Sequence, residues 1–204
     1  MGGRMGHGTR DKILIAAATM LGEDPTAKLS VRAVAARAGV STGSLRHFFP
    51  TQRELIDTVV AGMYTVDLPD DPMQDTASPP AERLVACLQL LLAQVGTGES
   101  ARGYWRALHA AYVASPPSDD AVHAFLAHER LAVHYVERWL VRLRDEGALA
   151  PGEPGHHARF LLTVVNGLLT ERALPGDLTR LEFEARTLMT AASAVLRPAS
   201  SDRP

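Results

Sequence analysis

The chain has 204 residues, of which 46% are hydrophobic and 22% charged, and its net charge at pH 7 is −2. This length allows one large helical domain or two small ones with real cores, and the composition is that of an ordinary globular protein. The single cysteine, Cys87, excludes an internal disulfide and a Cys-rich metal site. The start, MGGRMGHGTRDK, lacks the apolar stretch of a signal peptide, and no later apolar run reaches membrane-spanning length. We therefore expect a cytoplasmic protein with no membrane segment.

The N-terminal quarter predicts a series of short helices. The first runs from about Thr9 to Leu21, where apolar residues recur at helical spacing. Ser30 is placed to cap a second helix, and Gly39 lies where a helix end favours left-handed backbone. Ser41 is then placed to cap a third helix.

A fourth helix is predicted from about Gln52 to Val66, with Thr51 and Glu54 forming a T-x-x-E capping box at its start. The second and third helices, joined by a turn at Gly39, have the helix-turn-helix arrangement, in which the later helix enters the DNA major groove. Helix–Gly–helix segments also occur in ordinary helical bundles. The spacing alone therefore leaves both interpretations open.

Residues 67–80, DLPDDPMQDTASPP, contain four prolines among Asp and Ser and predict a break between domains. Gly and Pro punctuation beyond this break separates five further helical segments. No stretch predicts a strand. The five segments are approximately Ala81–Val95, Ala101–Ala114, Asp119–Glu146, Gly155–Arg172 and Leu178–Leu196.

The charge is unevenly distributed along the chain. Residues 1–66 hold eight Lys/Arg and five Asp/Glu, a net charge of +3, whereas the remainder holds 13 and 18, a net charge of −5. A basic N-terminal part on an acidic body is the asymmetry expected when only one part contacts phosphates.

The segments TRDKILIAAATMLGE and LSVRAVAARAGVSTGSLRHFFPTQRELI, within residues 9–63, resemble the N-terminal DNA-binding domain of TetR-family transcriptional regulators. The resemblance implies an all-α fold of about nine helices. A three-helix helix-turn-helix head at residues 9–66 would precede a larger C-terminal helical bundle at residues 81–197, which binds ligand and dimerises. It also implies a homodimer that binds a palindromic double-stranded DNA operator and responds to a small-molecule effector.

Ten residues are the candidate DNA contacts. In the recognition helix, Thr42, Ser44 and His47 are expected to reach base edges, Gly43 allows close approach of the backbone, and Arg46 can contact a guanine edge or a phosphate. Phe48 and Phe49 are expected to pack instead. The full set is Ser30, Arg32, Ser41, Thr42, Gly43, Ser44, Arg46, His47, Gln52 and Arg53.

Two of these positions depart from the family pattern. TetR-like sequences usually carry Tyr at the position of Arg46, although some members, including relatives of the BetI type, have Arg. The frequent Lys at the start of the fourth helix is here Gln52, followed by Arg53. A neutral Gln at a helix N-terminus still donates to phosphate, so either residue can make that contact.

The last two helices carry a wide apolar stripe, which indicates either a deeply buried helix or a second buried surface. The resemblance favours the second interpretation, a four-helix dimer interface. The candidate interface residues are Phe160, Val164, Leu168, Leu181, Leu188 and Ala192.

The middle helices concentrate aromatic residues and histidines, which suit a mostly apolar pocket with a few polar groups. Aromatic residues at helical spacing are more often core, but the resemblance implies an effector pocket in this region. The candidate lining residues are Trp105, His109, Tyr112 and Tyr135. No strong charge lies among them, which favours a neutral or weakly polar hydrophobic effector. An aromatic face can also hold a cation.

No enzymatic, metal or cofactor motif is found in the sequence. His156 and His157 point about 100° apart on a helix, and the H-E-x-x-H pattern begun by His128 fails at Ala132. G-x-S-x-G, P-loop and dinucleotide fingerprints are missing. We therefore predict a transcriptional repressor without a cofactor. The alternatives are a ligand-independent regulator or activator, and a protein-interaction module with a vestigial helix-turn-helix.

Overall fold

The computed structural model describes residues 3–23, 29–63, 71–176 and 179–198. Its described residues form nine α-helices and no strand, which confirms the predicted all-α class. A 3₁₀ turn at Pro72–Gln74 lies within the predicted break, and a lone antiparallel bridge joins Leu149 and Leu196. The helices are α1 Gly3–Glu23, α2 Val31–Ala38, α3 Thr42–Phe48, α4 Gln52–Met63, α5 Pro80–Ala93, α6 Glu99–Tyr112, α7 Asp119–Asp145, α8 Pro154–Ala173 and α9 Thr179–Val195.

Local hydrogen bonds set the ends of α2, α3 and α4. The Ser30 hydroxyl accepts from the Ala33 amide at 3.2 Å, and the Ser41 hydroxyl accepts from the Ser44 amide at 3.0 Å. Gly39 has φ 65°, the left-handed conformation that glycine adopts without strain. The Thr51 hydroxyl accepts from the Glu54 amide at 3.1 Å, which is the Thr half of the predicted capping box. The caps predicted for α2, α3 and α4 are therefore confirmed.

Backbone contacts divide the chain into two compact units. The first comprises residues 1–66 with residues 107–131, and the second comprises residues 67–106 with residues 132–204. The predicted head, residues 9–66, falls entirely within the first unit, whereas the predicted body, residues 81–197, is shared between the two units.

The core of the first unit forms between α1 and the three short helices. Ile13 and Ala17 of α1, Leu45 of α3 and Leu55 of α4 are each fully buried. Phe49, which ends α3, is also buried, and the Arg10 guanidinium lies 5.4 Å from the centre of its ring. Pro50 follows directly, and a residue before proline is disfavoured in helix. The expectation that Phe49 packs is thus confirmed.

The core of the second unit contains a buried ion pair between α8 and α9. The Arg172 guanidinium donates to both carboxylate oxygens of Glu184 at 2.7 Å, and also to the carbonyl of Leu92 at 2.6 Å. Both side chains are nearly buried. The pair therefore joins α8, α9 and the end of α5, and most of its charge is satisfied within the protein.

A second buried arginine fixes the segment before α5. Arg83 donates to Glu146 at the end of α7 and to the carbonyl of Met73 in the 3₁₀ turn. The hydrogen bond from Arg83 holds the pKa of Glu146 below its usual value. Cys87 packs nearby, and burial together with Asp71 raises the pKa of its thiol to about 12. The thiol is therefore protonated at neutral pH and is a weak nucleophile.

Glu184→Gln is expected to lower the free energy of unfolding by about 3 kcal/mol, because it leaves the Arg172 charge buried without its counterion. Urea denaturation at fixed protein concentration measures this. Glu99→Gln is the matched control, since Glu99 pairs with Arg102 and Arg106 on the exposed side of α6. That variant should unfold like the parent. Equal loss in both variants would contradict the structural role of the Arg172–Glu184 pair.

Candidate nucleic-acid interface

The recognition helix α3 turns one face inward and leaves the others to solvent. Leu45 is fully buried, while Thr42, Gly43, Arg46 and His47 are exposed. A Cβ added at Gly43 would meet only the Ser41 hydroxyl, at 3.8 Å, so this side of the helix is open to a close partner. Ser41 and Ser44, which are also predicted DNA contacts, are less available than these exposed residues. Ser44 is half-buried, and the Ser41 hydroxyl already caps the helix.

The basic side chains of α2 and α3 differ in whether they have partners. Arg37 forms an ion pair with Glu23 at 2.5 Å. Arg32 and Arg46 are exposed and have no ionic or hydrogen-bond partner among the described residues. A guanidinium that is exposed and unpaired retains all five donors for a phosphate or a base edge. Arg32 and Arg46 are therefore the cations of these helices that are available to an anionic ligand.

Ser30 and Gln52 are less available to an anionic ligand than Arg32 and Arg46. The Ser30 hydroxyl accepts from Ala33, so only its own hydrogen is left to donate. Gln52, the first residue of α4, is half-buried.

Arg53 has an interaction that the sequence did not predict. Its Nε donates to Nδ1 of His123 on α7 at 3.3 Å, and Nε2 of the same ring lies 3.1 Å from Oδ1 of Asp57. His123 is 70 residues away from Arg53 along the chain, and no periodicity or motif relates two such distant positions. An open cleft of about 420 Å³ adjoins the group, lined by Arg53, Asp119, Asp120, Val122, His123 and Leu126.

The predicted dimer residues divide between two faces. Phe160 is exposed and Val164 half-buried, whereas Leu168, Leu188 and Ala192 are buried within the chain's own core. Because these three side chains already pack in the core of one chain, they offer little surface to a second copy. The side chain of Leu181 lies outside the described residues.

The outward face of α8 and α9 contains residues that the sequence analysis missed. A shallow groove of about 300 Å³ is lined by Phe160, Val164, Phe183, Arg186, Thr187, Thr190, Ala191 and Ala194. Phe183 is 57% exposed, unusually high for a large apolar side chain. Helical spacing relates positions 183, 187, 190 and 194. Two of them are the polar Thr187 and Thr190, so the sequence does not show an apolar stripe on this face.

The four predicted pocket residues belong to two different compact units. Trp105 donates from its indole to the carbonyl of Leu169 at 3.1 Å, and Tyr135 is half-buried, with a pKa raised by desolvation. Both belong to the second unit. His109 is exposed, and Tyr112 packs with its ring centre 4.9 Å from that of Phe125. These two belong to the first unit.

Two further features concern ligands. An open cleft of about 730 Å³ runs along one face of α7 and includes none of the four pocket residues; its lining is His134, Glu137, Arg138, Val141, Arg142, Asp145 and Glu146. Burial lowers the pKa of His128, which keeps this imidazole neutral at physiological pH.

The part of the chain that the structure describes contains no group of three or more His, Cys, Asp or Glu that could hold a metal ion. Nor does any described helix have the length and hydropathy needed to span a membrane.

Comparison with known proteins matches the same N-terminal region. Residues 13–59 match the family of bacterial regulatory proteins, tetR family. No curated protein matches the chain. Among solved structures, a tetR-family transcriptional regulator from Agrobacterium tumefaciens is 16% identical with a TM-score of 0.53, the alignment covering 94% of this chain and 100% of that one.

Two further structures agree over similar lengths. The complex of SmeT with triclosan, SmeT being a repressor from Stenotrophomonas maltophilia, is 23% identical with a TM-score of 0.51, covering 96% of this chain and 98% of that one. A tetR-family protein from Vibrio parahaemolyticus is 18% identical with a TM-score of 0.50, covering 93% and 100%. These similarities show the fold, and the match over residues 13–59 shows the N-terminal domain. The N-terminal domain of the chain is thus similar to that of bacterial regulatory proteins of the tetR family.

Proposed function

We propose that this protein is a cytoplasmic, homodimeric transcriptional repressor that binds a palindromic operator in double-stranded DNA. The observation that carries the proposal is the outer face of α3, where Thr42, Arg46 and His47 are exposed beside the unpaired Arg32 of α2. Side chains with several donors on a helix that fits the major groove are suited to reading base edges. Two such helices in a symmetric dimer would read half-sites about 34–36 Å apart, or a multiple of this distance.

Arg46→Ala is expected to weaken operator binding about 5–150-fold while leaving the dimer intact, because a bidentate contact to a base is worth about 1–3 kcal/mol. A duplex selected by the purified protein from a random library supplies the operator, and a gel-shift titration measures the affinity. Arg106→Ala is the matched control, since it removes the same charge from the exposed side of α6. Undiminished affinity in Arg46→Ala would refute the assignment.

Arg46→Ala also distinguishes a contact of Arg46 with a guanine base from a contact with a phosphate. Loss of a guanine contact would relax specificity at one base pair of the operator. Loss of a phosphate contact would weaken binding to all sequences about equally and would reduce the salt slope by about one.

The dimer is proposed to form through the outward face of α8 and α9. Large apolar side chains such as Phe160 and Phe183 lie exposed there, and a second copy would remove them from water. An interface related by a two-fold axis places the same patch on both chains. The proposal therefore retains the predicted Phe160 and Val164 and adds Phe183 and Ala194.

Phe183→Glu is expected to shift the chain toward monomer, because a buried carboxylate without a partner opposes association. Sedimentation velocity over a range of protein concentrations measures this. Leu90→Glu is the control, because Leu90 is exposed on α5 and does not line the groove. An unchanged dimer in Phe183→Glu, or equal dissociation of both variants, would exclude this face.

An effector is proposed to release the repressor by linkage. In one conformation of the dimer, the recognition helices are misaligned for the operator. A ligand that binds this conformation more tightly lowers the affinity for DNA, and the ratio of its affinities for the two conformations limits the size of the effect. A coupling of about 1–3 kcal/mol changes affinity roughly 5–150-fold.

The SmeT structure contains triclosan, which makes this compound a reasonable first probe here. Trp105 and Tyr135, which both belong to the second unit, remain the proposed contacts.

Trp105 reports on such binding directly. The chain has two tryptophans, so Trp139→Phe leaves Trp105 as the sole indole fluorophore. Triclosan is expected to change its emission saturably and to weaken operator binding over the same concentration range. Saturable binding without any change in operator affinity would contradict the linkage.

A ligand-independent regulator or an activator would share this DNA-binding face. Reporter expression with and without the protein distinguishes them. A protein-interaction module with a vestigial helix-turn-helix would bind DNA weakly and without sequence preference. Specific binding that falls steeply with salt would argue against that alternative.

A further inference from the structure

The contact between α4 and α7 gives His123 a defined protonation state. We refer to Arg53, Asp57 and His123 as the His123 bridge. Arg53 Nε can only donate, so Nδ1 of His123 must accept and carries no hydrogen. The Asp57 carboxylate can only accept, so Nε2 must carry the hydrogen that it donates. Only the neutral imidazole protonated at Nε2 satisfies both contacts.

We propose that His123 is a positioning residue for DNA binding, which holds the Arg53 guanidinium for a contact with a phosphate. This inference rests on the proposed function.

Loss of the Arg53 contact has a consequence for DNA binding because Arg53 is the second residue of α4 and closely follows the recognition helix. With Nε engaged by His123, the guanidinium is ordered, and its Nη groups have no partner among the described residues. A side chain that is already ordered loses less entropy when it meets a phosphate. Breaking the bridge restores that cost and is expected to weaken binding about fivefold, the typical value of one hydrogen bond.

Two substitutions of His123 test the proposal. A glutamine amide has both an acceptor oxygen and a donor N–H, so His123→Gln can retain both contacts, whereas His123→Leu removes them. The affinity for the selected operator duplex is measured by fluorescence anisotropy at constant pH and ionic strength.

The parent and His123→Gln are expected to bind alike, and His123→Leu is expected to bind about fivefold more weakly than either, which a purely space-filling role would not predict. Equal affinities of His123→Gln and His123→Leu would overturn the role of His123 and leave the proposed function intact. Lack of specific binding by the parent would instead refute the proposed function.

A measurement without DNA tests the geometry independently. Long-range ¹H–¹⁵N spectra of the free protein are expected to show neutral His123 with its proton on Nε2. A proton on Nδ1 would overturn the bridge, whatever the outcome of the DNA experiments.

Discussion

The recognition helix depends on the burial of one side chain, because a helix of seven residues is not stable alone. Leu45 supplies the inward face of α3, and Phe49 closes its end against α1. The Ser41 cap satisfies one of the orphan amides at its start. With stability provided from inside the unit, the remaining positions of the helix are free to carry polar side chains. The exposed Thr42, Arg46 and His47 follow from this division of roles.

The second unit separates stability from association in a similar way. α8 and α9 are held to each other and to α5 by apolar packing and by the Arg172–Glu184 pair, whose charges face inward. Their outward positions are then not needed for the core. Phe160 and Phe183 remain exposed there, and the proposed dimer would cover them. In the proposed dimer, one helix pair would pack into the core with one face and against the second copy with the other.

Electrostatic pairing distinguishes the arginines that serve structure from those available to ligands. Arg83 and Arg172 are committed to Glu146 and Glu184 inside the second unit. Arg32 and Arg46 have no described partner, and Arg53 is engaged through one nitrogen only. In the proposed mechanism, this partial engagement orders Arg53 for its contact with DNA.

The sequence by itself determined the helices, the caps at Ser30, Ser41 and Thr51 and the turn at Gly39, because these depend on hydrogen bonds and periodicity within a few residues. It also contained the resemblance of the N-terminal domain to the TetR family, since the matching residues of α2 and α3 are contiguous. Only the tertiary structure decided that Leu168, Leu188 and Ala192 are core while Phe183 is surface, because helical spacing reveals a stripe but not what covers it. The contact of Arg53 and Asp57 with His123 likewise required the fold, since residues on separate helices meet only when those helices pack.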